Sequence, residues 1–136
     1  MNGRAFLDTN ILVYFYSEDD ENKRNKARQV LDDNDCVTSL QAMNEASNVW
    51  LRKFSLSSAQ IIEHLDNIES VCDAVLPIGR EMIDKALYLI ERYGFSYFDC
   101  LMLASALESG CGTLFTEDMS DGQLVEETLK IVNPFK

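Results

Sequence analysis

Short apolar segments alternate along this chain with longer stretches in which apolar residues recur at helical spacing. The apolar segments predict strands at residues 4–7, 36–39, within 71–78, at 112–116 and at 129–132. Helical periodicity covers residues 22–34, 40–54, 57–69, 79–93 and 98–107, and a further helix follows the first strand. Strands that alternate with helices form a mainly parallel sheet with right-handed crossovers and helices on both faces. We therefore predict the α/β class, as a three-layer α/β/α arrangement of about five strands.

The length and composition are those of one ordinary globular domain. We expect the 136 residues to form a single domain over 1–136 with a substantial core. A hydrophobic content of 46% and a charged content of 26% disfavour disorder. No apolar run is long enough to span a membrane, and no signal peptide is recognisable. The expected location is therefore the cytoplasm.

The formal net charge of −11 bears on nucleic-acid binding. Extended, nonspecific duplex binding depends on many Lys and Arg contacts to phosphate, so this charge disfavours it. A few local phosphate contacts remain compatible with it. Lys23, Arg24, Lys26 and Arg28 cluster on one predicted helix, where a solvated helix face is favoured over a phosphate-binding patch.

Cysteine and histidine provide little support for a metal site or a nucleophilic triad. Cys36, Cys72, Cys100 and Cys111 form no C-x-x-C pair, so small buried hydrophobic residues are the favoured interpretation. The single histidine, His64, lies among charged residues of a helical pattern, which favours an exposed surface position. Zinc and triad chemistry are therefore disfavoured.

Asp8 lies where the first apolar segment ends. A lone carboxylate is costly to bury, so Asp8 should either reach solvent or hold a cation. In open α/β sheets, ligands bind just outside the carboxyl ends of the strands, which is where Asp8 would lie. Thr9 or Asn10 could cap the helix that follows.

Four further carboxylates lie after a predicted strand or within a predicted helix, and each has a local explanation. Asp118 lies just beyond the fourth strand, although it and Asp121 could be ordinary turn residues. Glu45 falls off the apolar stripe of its helix and could be an exposed helix glutamate. Asp99 occupies the first turn of an otherwise apolar helix, where Ser96 and Asp99 have the spacing of a capping box.

Placed on one parallel sheet, these carboxylates would come close together. Clustered carboxylates repel unless protons or cations intervene. Mg²⁺ and Mn²⁺ prefer oxygen ligands, whereas a site without histidine suits zinc poorly. Such ions polarise a phosphoryl oxygen and lower the pKa of bound water. The predicted chemistry is phosphodiester hydrolysis.

Four segments together resemble the PIN domain, and more narrowly the VapC-type toxins of bacterial toxin–antitoxin pairs. They are FLDTNILVY, LQAMNEASNVW, SYFDCLMLASA and LFTEDMSDGQ, which occur in the family's order and extend over almost the whole chain. The resemblance implies a PIN-like fold and a metal-dependent endoribonuclease that uses Mg²⁺ or Mn²⁺. It also implies an RNA substrate, a homodimer and a cognate antitoxin that blocks the acidic groove.

The resemblance also implies an acidic quartet, formed by Asp8, Glu45, Asp99 and Asp118. Asp8 and Asp99 would bind the metal directly. Asp118, helped by Asp121, would complete the metal shell. Glu45 would bind metal or orient the attacking water.

Asn10 and Thr116 match family positions that support the site by hydrogen bonding. Two other functions are compatible with parts of the pattern. A phosphotransferase or dehalogenase built on Asp8 is disfavoured, because such enzymes place a second Asp where this chain has Asn10, and no partner lysine is evident. A non-catalytic RNA- or protein-binding module would use the acidic cluster only for a structural ion.

Overall fold

A computed structural model describes residues 3–136 of the chain; residues 1 and 2, which the single-domain prediction includes, lie outside this range. The strands in this range are β1 (Arg4–Leu7), β2 (Asp35–Ser39), β3 (Ala74–Leu76), β4 (Thr113–Phe115), β5 (Leu124–Val125) and β6 (Leu129–Val132). The helices are α1 (Thr9–Tyr14), α2 (Glu21–Asp33), α3 (Leu40–Arg52), α4 (Ser58–Val71), α5 (Arg80–Tyr93) and α6 (Tyr97–Glu108). Within this range, none of the helices is long and apolar enough to cross a membrane.

All the strands belong to one sheet in the order β3-β2-β1-β4-β6-β5. Every neighbouring pair is parallel except β5 and β6. The predicted mainly parallel α/β sheet is confirmed, with β5 as an additional antiparallel edge strand. This strand has two residues, and Glu126 and Glu127 in the hairpin turn adopt positive φ. Asn-Gly or Asp-Gly is the usual sequence of such a turn, so the Glu126-Glu127 sequence does not predict a hairpin.

The sheet reverses its strand order between β1 and β4. The chain runs outward from β1 to β2 and β3, and then returns to place β4 on the other side of β1. The carboxyl ends of β1 and β4 are therefore neighbours, and the Asp8 amide donates a 3.1 Å hydrogen bond to the Phe115 carbonyl. In open α/β sheets, ligands bind in the crevice at such a switch point.

The helices form two groups on the sheet. Helix α1 packs against α2 and α3, and α3 packs against α4, whereas α5 packs against α6. Right-handed crossovers to opposite edges of a parallel sheet place the two groups on opposite faces. This accounts for the predicted α/β/α layering.

Helix α6 is surrounded by protein over most of its length, as its apolar composition predicts. Its buried residues run from Cys100 to Ala106 without interruption. The start of the helix is different, because Phe98 is 63% exposed although it is apolar. Phe98 lies in the first turn of α6, and that turn borders the open crevice.

The four cysteines are buried and unbonded, as predicted. The prediction for His64 was wrong: the side chain is partly buried. Its ring stacks on Tyr16 with centroids 3.9 Å apart and lies 4.9 Å from the ring of Trp50. Burial lowers the pKa of His64. Packing of α4 against the ends of α1 and α3 creates this environment, which the local charge pattern does not reveal.

The basic residues of α2 include two arginines that bind backbone carbonyls of the neighbouring segment, so the prediction of a solvated helix face was wrong. Arg24 Nη1 donates to the Ser17 carbonyl at 3.1 Å, and Arg28 Nη2 donates to the Phe15 carbonyl at 2.9 Å. These carbonyls lie just beyond α1, where helix carbonyls lack partners within the helix. Helix α2 thus fixes the end of α1 by donating to its free acceptors.

Candidate active site at the β1–β4 edge

Asp8 is positioned by the end of β1 and the start of α1. It is itself the N-cap of α1, so the expectation that Thr9 or Asn10 caps this helix was wrong. One carboxylate oxygen accepts the Thr9 amide at 2.7 Å, and the other accepts the Thr116 hydroxyl at 2.7 Å. The residue is 6% exposed. Asp8 is thus a buried carboxylate whose hydrogen-bond donors are neutral.

The surroundings of Asp8 favour its neutral form. Burial raises the pKa of Asp8 to about 6, against the opposing effect of the hydrogen bonds from Thr116 and Thr9. The charges of Asp99 and Glu45 raise it further. Among the ion pairs formed within residues 3–136, none includes Asp8, Glu45, Asp99 or Asp118.

Glu45 is turned toward this edge by Gln41, one helical turn earlier on α3. Gln41 Nε2 donates to Glu45 Oε2 at 2.9 Å and to the Phe98 carbonyl at 3.2 Å. Burial raises the pKa of Glu45, with a further contribution from the charge of Asp99. Glu45 is therefore a partly buried member of the carboxylate group rather than an exposed helix residue. Sequence reasoning missed Gln41, although its i,i+4 spacing to Glu45 was a usable signal.

Asp99 lies in the first turn of α6. Its amide donates to Ser96 Oγ at 3.3 Å, so the Ser96 half of the predicted capping box is present. Capping does not account for the whole environment of Asp99. Burial raises the pKa of its carboxyl group, and the charge of Asp118 adds to the effect.

Asp118 is exposed in the turn after β4, where Asn10 and Thr116 contact it. Asn10 Nδ2 donates to Asp118 Oδ2 at 2.9 Å. Thr116 Oγ1 accepts the Asp118 amide at 3.2 Å while donating to Asp8. A continuous set of hydrogen bonds therefore joins the Asp8 carboxylate to the turn that carries Asp118.

Asp121 has contacts on the C-terminal side of the same turn. Its Oδ1 accepts the Asn133 amide at 2.7 Å, and its Oδ2 lies 3.8 Å from Lys136 Nζ. These contacts hold the end of the chain, and the part of Asp121 as a metal ligand stays a prediction.

Carboxylate oxygens, such as those at this edge, are suitable ligands for a hard divalent cation. In their present positions, no three His, Cys, Asp or Glu side chains within residues 3–136 form a group that could hold a metal ion. Asp118 is exposed and Asp99 is partly exposed, so both carboxylates are accessible to a cation from solvent.

Glu117 was also missed, although it lies between Thr116 and Asp118. It forms an ion pair with Lys23 of α2 and accepts a hydrogen bond from Tyr14 of α1. Lys23 is 94 positions away in the sequence, so no local pattern connects the two residues.

An open pocket of about 560 Å³ lies beside Glu45. Its walls include Leu40, Ile78 and Phe98, which are at least 43% exposed. An exposed apolar surface of this kind, beside polar groups, is typical of a binding surface.

Comparisons with known proteins agree with this architecture. The family model described as PIN domain matches residues 5–120. No curated protein matches the sequence. A chain of a toxin–antitoxin complex from Klebsiella pneumoniae has a similar structure, with a TM-score of 0.73, 23% identity, and coverage of 96% of this chain and 97% of that chain.

Two further solved structures share the fold. VapC20 from Mycobacterium tuberculosis, described as a sarcin–ricin loop cleaving toxin, has a TM-score of 0.66 and 14% identity, and covers 81% of this chain and 86% of its own. VapBC2 from Rickettsia felis, bound to a DNA fragment from its promoter, has a TM-score of 0.66 and 18% identity, with coverage of 96% and 99%.

Proposed function

This chain belongs to the PIN domain family, and from that membership and the carboxylate edge we propose that it is a metal-dependent endoribonuclease that hydrolyses RNA phosphodiester bonds. The observation that carries the proposal is the environment of Asp8. This carboxylate is buried at the switch point of the sheet, forms no ion pair with the cations of residues 3–136 and is affected by the charges of Asp99 and Glu45. Strongly perturbed carboxylates in a crevice are characteristic of functional sites.

The chain's residues have distinct parts in this proposal. Asp8 and Asp99 would hold Mg²⁺ or Mn²⁺, and Asp118, helped by Asp121, would complete the site. When bound, the ion supplies polarisation of the phosphoryl oxygen and a lower pKa for water. Glu45, oriented by Gln41, would bind the ion or accept a proton from the attacking water, and burial raises its pKa, which makes it a stronger base than a solvated glutamate.

We further propose that the chain is the toxin of a toxin–antitoxin pair that acts in the cytoplasm. The solved structures similar to it include toxin–antitoxin complexes, which supports a cognate antitoxin as partner. The exposed apolar residues Leu40, Ile78 and Phe98 support a homodimer. With a net charge of −11, the protein needs cations at the site to attract an RNA backbone.

The test is cleavage of single-stranded RNA and of structured RNA, including a sarcin–ricin stem-loop, by purified protein with Mg²⁺ or Mn²⁺. We expect EDTA to abolish cleavage and Asp99→Asn to reduce it by about 100-fold or more, because the exchange keeps the shape and removes the charge. Glu108→Gln is the matched control, since Glu108 is exposed at the other end of the same helix.

Cleavage by Asp99→Asn at the wild-type rate would overturn the assignment of Asp99. If folded protein free of a bound inhibitor cut no RNA, the non-catalytic binding module with a structural ion would become the better explanation. Mn²⁺ binding without cleavage would support that alternative directly.

A further inference from the structure

We infer that Lys23, Tyr14 and Glu117 form a clamp that positions Asp118 in the candidate active site. We call these three residues the Glu117 clamp. The inference rests on the proposed function, because it concerns the readiness of Asp118 to bind a metal ion. It concerns positioning only, since none of the three residues belongs to the carboxylate group itself.

Both carboxylate oxygens of Glu117 are occupied. Tyr14 OH donates to Oε1 at 2.7 Å, and Lys23 Nζ donates to Oε2 in an ion pair. Lys23 Nζ also donates to the Tyr14 hydroxyl at 3.1 Å, which closes the contacts into a triangle. The Lys23 and Glu117 side chains are 31% and 26% exposed, so solvent screens this pair less than an open surface pair.

The clamp is anchored in three separate parts of the fold. Tyr14 ends α1, Lys23 lies in the first turn of α2, and Glu117 lies in the turn after β4. The ring of Phe135 packs edge-on against Tyr14 with centroids 4.9 Å apart, and Lys23 Nζ lies 5.5 Å from the Phe135 ring. The turn that carries Asp118 is therefore tied to two helices and the C-terminal segment.

A short path leads from the clamp to Asp118. The Glu117 amide donates to Asn10 Oδ1 at 3.2 Å, and Asn10 Nδ2 donates to Asp118 Oδ2 at 2.9 Å. Holding the Glu117 side chain fixes the peptide that faces Asn10, and Asn10 in turn orients the Asp118 carboxylate. Metal ligands need positions held within about 0.5 Å, which an exposed turn does not provide unaided.

The clamp also keeps Glu117 away from the carboxylate group. Glu117 is adjacent in sequence to Asp118, and a released carboxylate there would be a competing ligand for a cation. Its commitment to Lys23 and Tyr14 neutralises that charge and leaves Asp118 as the ligand from this turn.

The experiment measures Mn²⁺ affinity by calorimetry on the full chain, independently of cleavage. We expect Lys23→Met to weaken Mn²⁺ binding by about 10-fold or more, as for other residues that orient metal ligands. Lys23→Arg should retain most of the affinity, because it keeps the cation. Glu117→Gln provides a second test should Lys23→Met fail to fold. Lys85→Met is the matched control, since it removes an ion pair with Glu126.

A double-mutant cycle distinguishes positioning from general destabilisation. In an Asp118→Asn background, Lys23→Met should weaken Mn²⁺ binding by less than about 2-fold, because its effect passes through Asp118. Equal weakening in both backgrounds, or wild-type affinity in Lys23→Met, would overturn the clamp while leaving the nuclease proposal intact. Wild-type protein that neither bound Mn²⁺ nor cut RNA would overturn both.

Discussion

Asp8 and Glu126 are both shielded carboxylates, but their partners differ in charge. Glu126 contacts Lys85 at 3.4 Å, Arg92 at 3.0 Å and the Tyr93 hydroxyl at 2.9 Å. Burial alone would raise the pKa of Glu126, but hydrogen bonds from Tyr93 and Lys85 outweigh it and lower the pKa. Asp8 has only neutral donors and acidic neighbours, and its pKa is raised to about 6.

The charge of the partners distinguishes Glu126, which has a structural role, from Asp8, whose burial packing does not explain. Glu126 and Glu127 adopt positive φ in the β5–β6 turn, a conformation that is unfavourable for such residues. The contacts of Glu126 with α5 offset that strain. Asp8 instead adds unfavourable electrostatic energy at the point where α/β sheets bind ligands. This contrast supports a catalytic interpretation of the β1–β4 edge.

The largest expected effect is on catalysis. Asp8→Asn should reduce RNA cleavage by about 100-fold or more, whereas Glu126→Gln should leave it unchanged, because only Asp8 would contact the metal ion. Initial rates with Mn²⁺ measure both variants, and circular dichroism checks their folding. Equal losses in the two variants would remove the distinction between the sites.

Stabilisation of the protein by a metal ion should depend on Asp8 and not on Glu126. At 100 times its dissociation constant, Mn²⁺ should raise the free energy of unfolding at pH 7 by about 2.7 kcal/mol. Glu126→Gln should retain this gain, and Asp8→Asn should lose most of it. Urea unfolding with and without Mn²⁺ measures the gain, and an undiminished gain in Asp8→Asn would place the ion elsewhere.

The pH dependence of stability in EDTA should reflect the raised pKa of Asp8. The folded state holds a proton on Asp8 up to about pH 6, whereas the unfolded chain releases it near the ordinary value of 3.8. Folding therefore binds protons between these values, and the free energy of unfolding should rise by about 1 kcal/mol from pH 7 to pH 5. Urea unfolding across this range measures the change.

Asp8→Asn should flatten that profile. The pKa values of Glu117 and Glu126 are lowered, so the stability that these residues contribute is present above their ordinary value of 4.5 and is lost as the pH falls below it. A wild-type profile that fell steadily from pH 7 to pH 5 would contradict the assignment of Asp8.

The smallest expected effect concerns the ion pairs of Glu126. Lys85 is 35% exposed, so Lys85→Met should lower the free energy of unfolding by only about 0.5 kcal/mol. RNA cleavage should be unaffected, because this contact fixes the hairpin and not the β1–β4 edge. A loss of cleavage at unchanged stability would show that the two regions are coupled.

The sequence by itself determined the order of elements and the strand ends that carry polar residues. Strand β1 was predicted at its observed bounds, and Asp8 and Asp118 were placed beyond the ends of the first and fourth strands. Short apolar segments and helical periodicity extend over a few residues, so they can be recognised from the local sequence. The composition of α6, which is apolar on nearly every face, likewise indicates a buried helix.

Only the tertiary structure decided which charged residues have partners. Lys23 reaches Glu117 across 94 positions, and Tyr16 meets His64 across 48. The exposure of Phe98 and the partial burial of Glu45 likewise depend on where α3 and α6 meet. Burial and ion pairing depend on packing between distant elements. The sequence therefore predicted the carboxylates of the edge, whereas the fold determined that none of the described cations pairs with them and that the clamp residues meet beside them.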